Sequence, residues 1–151
     1  MQQQSVVRVT EVDSRRLQAL IDAALRRDGR EPGSVDELER HLLDAEVTPA
    51  ERIGPDVVTM NSEVRVTDLT TGETLDFRVV FPRVADAAAR NISVLAPIGM
   101  AVLGRRVGEE ITWQVPAGMR RLRVDALVYQ PERDGKDLGG GRVERSDRRA
   151  T

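Results

Sequence analysis

No cysteine occurs among the 151 residues, which excludes disulfides, thiolate nucleophiles and cysteine-ligated metals. Histidine is almost as scarce. His41 stands alone, so no His pair at helical spacing exists, and a Ser–His hydrolase would have a single base to draw on. No Gly-x-Ser-x-Gly elbow accompanies it, and "GGGR" near the end is not followed by the Gly-Lys-Ser/Thr of a phosphate loop. His41 is expected at the solvent edge of a helix. Aromatics make up only 3% of the chain, as Phe77, Phe81, Trp113 and Tyr129. A proline-isomerase pocket needs several rings, yet Phe77, Phe81 and Trp113 fall where a core needs them. An excess of one charge is lacking too: 23 basic against 25 acidic residues give −2, with no global attraction to nucleic acid or anionic lipid. No hydrophobic run is long. The most apolar one, residues 94–104, is well short of the ~18 residues of a membrane-spanning helix. The opening "MQQQSVVRVT" lacks the basic and apolar regions of a signal peptide, so the expected location is the cytoplasm with no membrane partner. Nothing intrinsic looks catalytic, and neither a metal nor a cofactor is implied.

What is present suits one domain, or one small domain with an appendage, and an apolar content of 40% can close a core of modest size. The first stretch, 1–47, carries a helical period. Leu17, Leu20, Ile21, Ala24 and Leu25 lie on one stripe, with Thr10 and Asp13 spaced as a capping box or Asp13 itself as cap. "RDGREPGS" breaks that helix, and Ser34 with Glu37 opens another, along which Val35, Leu38, Leu42 and Ala45 repeat with 3-4-3 spacing. The pattern predicts a short antiparallel helical hairpin, and it equally fits an amphipathic pair covering a sheet.

Residues 48–62 read as a Pro/Gly-punctuated connector. From 63 to 131 the period changes to two: "EVRVTDL", "TLDFRVVF", "ITWQV" and "LRVDALV" are strands, joined by the short "ISVL". Leu75, Phe77, Val79 and Phe81 are expected on one face, as are Leu122, Val124, Ala126 and Val128. The result is α+β: a mostly antiparallel sheet with one wet face behind a helical hairpin. Between strands, "APIGMAVLG" predicts a helix of at most two turns, opened by Pro97 and stopped by Gly104. Residues 132–151 are charged and glycine-rich and are expected to be a disordered tail.

"DVVTMNSEVRVTDLTTGETLDFRVVFP" followed by "ISVLAPIGMAVLGRRVGEEITWQVPAG" resembles the carboxy-terminal domain of the bacterial Gre transcript-cleavage factors. "PDVVTMNS", "APIG", "RVGEEITW" and "VYQPE" are similar to the regulator of nucleoside diphosphate kinase family, which shares that domain. The resemblance runs from residue 10 to about 132 and is most specific over 56–118. It implies an FKBP-like α+β domain behind an amino-terminal hairpin. It also implies RNA polymerase as partner, at the secondary channel, and an effect on nucleoside diphosphate kinase, direct or through transcription. Sequence-specific contact with nucleic acid is not implied.

In Gre factors a long hairpin carries acidic residues that help to hold a catalytic magnesium ion. The matching turn here is "RRDGREPG", with Asp28 and Glu31 as candidate carboxylates. Arg26, Arg27 and Arg30 surround them and oppose a cation. Helix 11–26 would rise only ~24 Å, less than a Gre arm. The polymerase-gripping segment of the family matches Ala96, Pro97, Ile98, Gly99 and Met100, with Ala96 where the family often has Ser. The expectation is a non-enzymatic, polymerase-binding regulator. The alternatives are a short-armed cleavage factor using Asp28 and Glu31, and a degenerate prolyl isomerase.

Overall fold

A computed structural model describes residues 6–28, 33–115 and 118–135. Strand β1 (Arg8–Thr10) runs directly into helix α1 (Glu11–Asp28), and α2 (Gly33–Leu43) leads back to β2 (Glu46–Thr48). The switch from strand to helix has a local cause. Thr10 Oγ1 accepts from the Asp13 amide at 3.0 Å, satisfying one of the free N–H groups of the first turn. Leu17 and Ile21 of α1 and Val35 and Leu38 of α2 are buried, as the stripe predicts.

The two flanking strands were not legible. β1 and β2 pair in parallel, with Arg8 opposite Glu46 and Thr10 opposite Thr48. Parallel neighbours need a long crossover, and the helical hairpin supplies it. Because the ribbon holds the start of α1 beside the end of α2, the two helices must run antiparallel.

The main sheet has the order β5-β4-β3-β7-β6, from β3 (Glu63–Asp68), β4 (Thr74–Val80), β5 (Asn91–Ser93), β6 (Glu110–Val115) and β7 (Gly118–Tyr129). Only β4 and β5 are parallel. Helix α3 (Pro97–Val102) and a final turn, α4 (Pro131–Asp134), complete the described chain. Hairpin and sheet share one apolar cluster, which runs from Leu17, Ile21 and Leu38 through Met60 and Val64 to Leu103 and Leu122.

Three expectations need correction. On β7, Leu127 is buried and Val128 is half exposed, the reverse of a strict alternation. The register explains it. Arg65 faces Ala126 while Val66 faces Val124, and Glu63 faces Tyr129 while Val64 faces Leu127, so Asp125 and Val128 are extra residues in bulges. On β4, Leu75 is exposed and Phe81 lies beyond the strand, its ring under the Arg16 guanidinium of α1 at 5.3 Å. Residues 132–134, read as the start of a tail, are tied to the domain: Glu132 accepts from Thr59 Oγ1 at 2.7 Å, and Arg133 Nη1 donates to Pro55 O at 3.1 Å. The rest of that segment lies outside the described residues.

Trp113 packs against the core from β6, as its alternation with Ile111 predicts, and its indole Nε1 is buried without a partner. Trp113→Ala is expected to lower stability by about 3 kcal/mol, the low end for a large aromatic because the ring is partly exposed. Urea denaturation followed by circular dichroism checks it, and a loss below about 1 kcal/mol would contradict a core role.

Candidate functional site

Helix α3 is a lid with one wet edge. Its first residue is Pro97, preceded by Ala96 in an extended conformation (φ −74°, ψ 147°) that suits a residue before proline. The turn is stiffened from behind: Leu95 N donates to Ser93 Oγ at 2.9 Å and Ala96 N to Ser93 O at 2.9 Å. Gly99 is buried against the same strand end. A Cβ there would overlap the Ser93 carbonyl oxygen and lie 3.3 Å from Val94 Cα, so only glycine lets α3 sit this close to β5.

The five residues expected to grip a partner therefore divide. Pro97 is exposed, and Ala96 and Ile98 are half-buried. Gly99 and Met100 are buried, so they offer no side-chain surface and instead seat the lid on the core. Met100 is apolar, but its side chain joins Val102 and Leu103 in the core cluster beneath the helix instead of facing a partner. The accessible edge is Ala96, Pro97 and Ile98, with Ala101 half-buried one turn further on.

At the other end of the molecule, α1 runs 18 residues and closes with Asp28. Its length is about 27 Å from the rise per residue, only slightly more than expected. Of the other residues of the expected tip, Glu31 and Arg30 lie outside the described residues. Among the described residues, no group of three or more His, Asp or Glu side chains is placed to hold a metal ion.

Two titratable groups, Asp13 buried and His41 half-buried, neither expected in such a role, join the hairpin to the domain. Asp13 Oδ2 accepts from the Met60 amide at 3.0 Å, next to the hydrogen-bonded set Thr59, Ser62 and Glu132. Burial pushes the Asp13 carboxyl up to about 6; the Met60 N–H opposes this, and the nearby Glu132 carboxylate adds to it. His41 lies at the half-buried edge of α2, with its ring turned toward the domain. Its Nε2 lies 3.1 Å from the Leu103 carbonyl, and burial lowers its pKa more than that hydrogen bond raises it. The only signals for these roles were the helical positions of the two residues, which do not say what they meet.

On the wet face of the sheet, arginines are committed to neighbouring acids. Arg65 pairs with Asp76 at 2.8 Å, Arg123 with Asp125 at 2.7 Å, and Arg121 with Glu110. Such exposed pairs add little stability, but they leave that face electrically mixed rather than basic. Among the described residues, no helix is long and apolar enough to cross a membrane.

Comparison with known proteins points in one direction. The family model for the carboxy-terminal domain of the transcription elongation factors GreA/GreB matches residues 53–129. The regulator of nucleoside diphosphate kinase of Escherichia coli (strain K12) is 41% identical over 104 residues, which is 68% of this chain and 76% of that protein. Transcription elongation factor GreA of Thermotoga neapolitana is 36% identical over 103 residues, covering 68% and 65% of the two chains. A solved structure, a prokaryotic transcription elongation factor GreA/GreB from Nitrosomonas europaea, superposes with a TM-score of 0.65 at 38% identity, over 82% of this chain and 99% of that one.

Proposed function

Since the chain belongs to the GreA/GreB carboxy-terminal-domain family of transcription factors, we propose that it is a non-enzymatic regulator that docks on RNA polymerase at the secondary channel. The observation that carries the reading is the α3 edge. Pro97 stands exposed on a turn held rigid from inside by Ser93 and Gly99, so an apolar contact can form there with little ordering cost. The partner acts in the cytoplasm of bacteria, and the proposal places this protein with it. An effect on nucleoside diphosphate kinase enters through the similarity to the kinase regulator, either directly or by way of transcription.

The arm supports obstruction over catalysis. An arm of about 27 Å stops short of where a full Gre hairpin reaches. The exposed Arg26 beside the tip works against a divalent cation. Purified protein added to backtracked polymerase with magnesium is expected to leave the RNA cleavage rate unchanged and to slow cleavage by an added Gre factor. Faster cleavage that disappears in an Asp28→Ala, Glu31→Ala variant would instead establish the short-armed cleavage factor.

Pro97→Asn tests the contact itself. The first helical position tolerates Asn, so folding should be preserved while polymerase affinity falls about tenfold, or about 1.4 kcal/mol. Unchanged affinity with an unchanged melting curve would remove this edge from the interface.

A further inference from the structure

Three segments distant in sequence converge just beyond the last turn of α3. From α2, His41 Nε2 reaches the Leu103 carbonyl at 3.1 Å. From β1, the Arg8 amide donates to Gly104 O at 3.2 Å, and from the loop before β3, Val58 O accepts from the Gly104 amide at 2.8 Å. The first two link the helical arm, or the strand that carries it, to the residues that end the docking helix, and the third ties those residues to the sheet domain. His41 is the one side chain among them. A carbonyl oxygen only accepts, so Nε2 carries the proton, and burial together with the nearby Arg105 guanidinium favours the neutral ring.

We propose that His41 is a positioning residue: its bond to the Leu103 carbonyl ties the direction of the helical arm to α3, so that polymerase receives arm and docking edge at one set angle. The backbone bonds of Arg8 and Gly104 hold the root of α1, but on the α2 side His41 is the polar tie across to α3. Among the described residues, the packing of α2 against α3 that remains without it includes Leu38, Leu42, Met100 and Leu103 of one apolar cluster, and such packing is non-directional and tolerates rotation. The polymerase half of the statement rests on the docking reading above; the clasp itself does not.

The absence of native cysteine makes the test direct. Cysteines introduced at Arg26, on the exposed far part of α1, and at Glu110, an exposed position at the start of β6, take a pair of spin labels in the full chain. One narrow separation is expected in the parent. His41→Ala should roughly double its width, and His41→Gln, whose amide also donates, should restore it, with folded fractions matched by circular dichroism. A distribution as narrow in His41→Ala as in the parent would overturn the clasp. On polymerase, His41→Ala should bind within about twofold of the parent, because the Pro97 edge is untouched, while a photo-crosslinker at Arg26 spreads from one polymerase site to several. Retention of the single site would likewise overturn it. Failure of the parent to bind polymerase would sink the docking reading, while the label widths still decide whether His41 positions the arm.

Discussion

Gly104→Ala is expected to lower the unfolding free energy by about 3–5 kcal/mol, the largest single effect among these substitutions. Two causes add. Gly104 has φ +83°, where a side chain is strained by about 1–3 kcal/mol. Its Cβ would also overlap Val7 Cγ1 and press to 2.9 Å from Arg8 O, and neither can yield without moving β1. Gly72 is the internal control. It has nearly the same φ, +84°, but nothing within 4 Å of a Cβ, so Gly72→Ala should show the backbone strain alone. Denaturant titration of both variants separates the terms. Equal losses would mean that β1 moves aside freely, and the junction between hairpin and docking helix would then be softer than described.

Asp13→Asn is expected to stabilise the protein at pH 7–8 by up to about 3 kcal/mol. The folded carboxyl titrates at about 6, against 3.8 as the ordinary value, and each unit is worth about 1.4 kcal/mol. The sign follows from which state holds the proton more tightly. The folded state does, so the contribution is complete below pH 3.8 and is lost as pH rises through about 6. Asp68, Asp76 and Asp125 are shifted the other way, below the ordinary carboxylate range, so the stability they contribute falls away at pH values lower than this window. Between about pH 4 and 6 the parent should therefore lose stability as pH rises, and Asp13→Asn should flatten that slope. The amide oxygen can still accept from the Met60 N–H, which keeps the junction intact. Melting temperatures over this range decide the matter; a parent as pH-dependent as the variant would mean that Asp13 is not a dominant group.

Asp13 sits at the third position of α1, where negative charge is favoured by the helix dipole, and it spans from the arm to the loop before β3.

Much of this molecule was legible from local pattern. The stripe of Leu17 and Ile21 identified α1, and Thr10 marked its start. Alternation identified β3 and the middle of β4. Proline at 97 and glycine at 104 bounded α3, and with them the exposed position of Pro97. Each of these depends on neighbours within a turn or two along the chain, where period and capping chemistry are written directly in residue type. The candidate edge was legible only in part, since Pro97 follows from its place at the helix start, whereas the burial of Gly99 and Met100 depends on how α3 lies on β5.

Tertiary structure alone decided the rest. Strands of three residues carry no period, so the β1–β2 ribbon exists only because the hairpin brings its two ends together. The bulges at Asp125 and Val128 arise from pairing with β3, and they turn Leu127 inward against the pattern of its own strand. The polar ties belong to the same class: Asp13 meets Met60 47 positions away, His41 meets Leu103 across 62, and Thr59 meets Glu132 across 73. A hydrogen bond between residues that distant needs only a donor and an acceptor brought together and buried, and neither end differs in sequence from a polar side chain facing water.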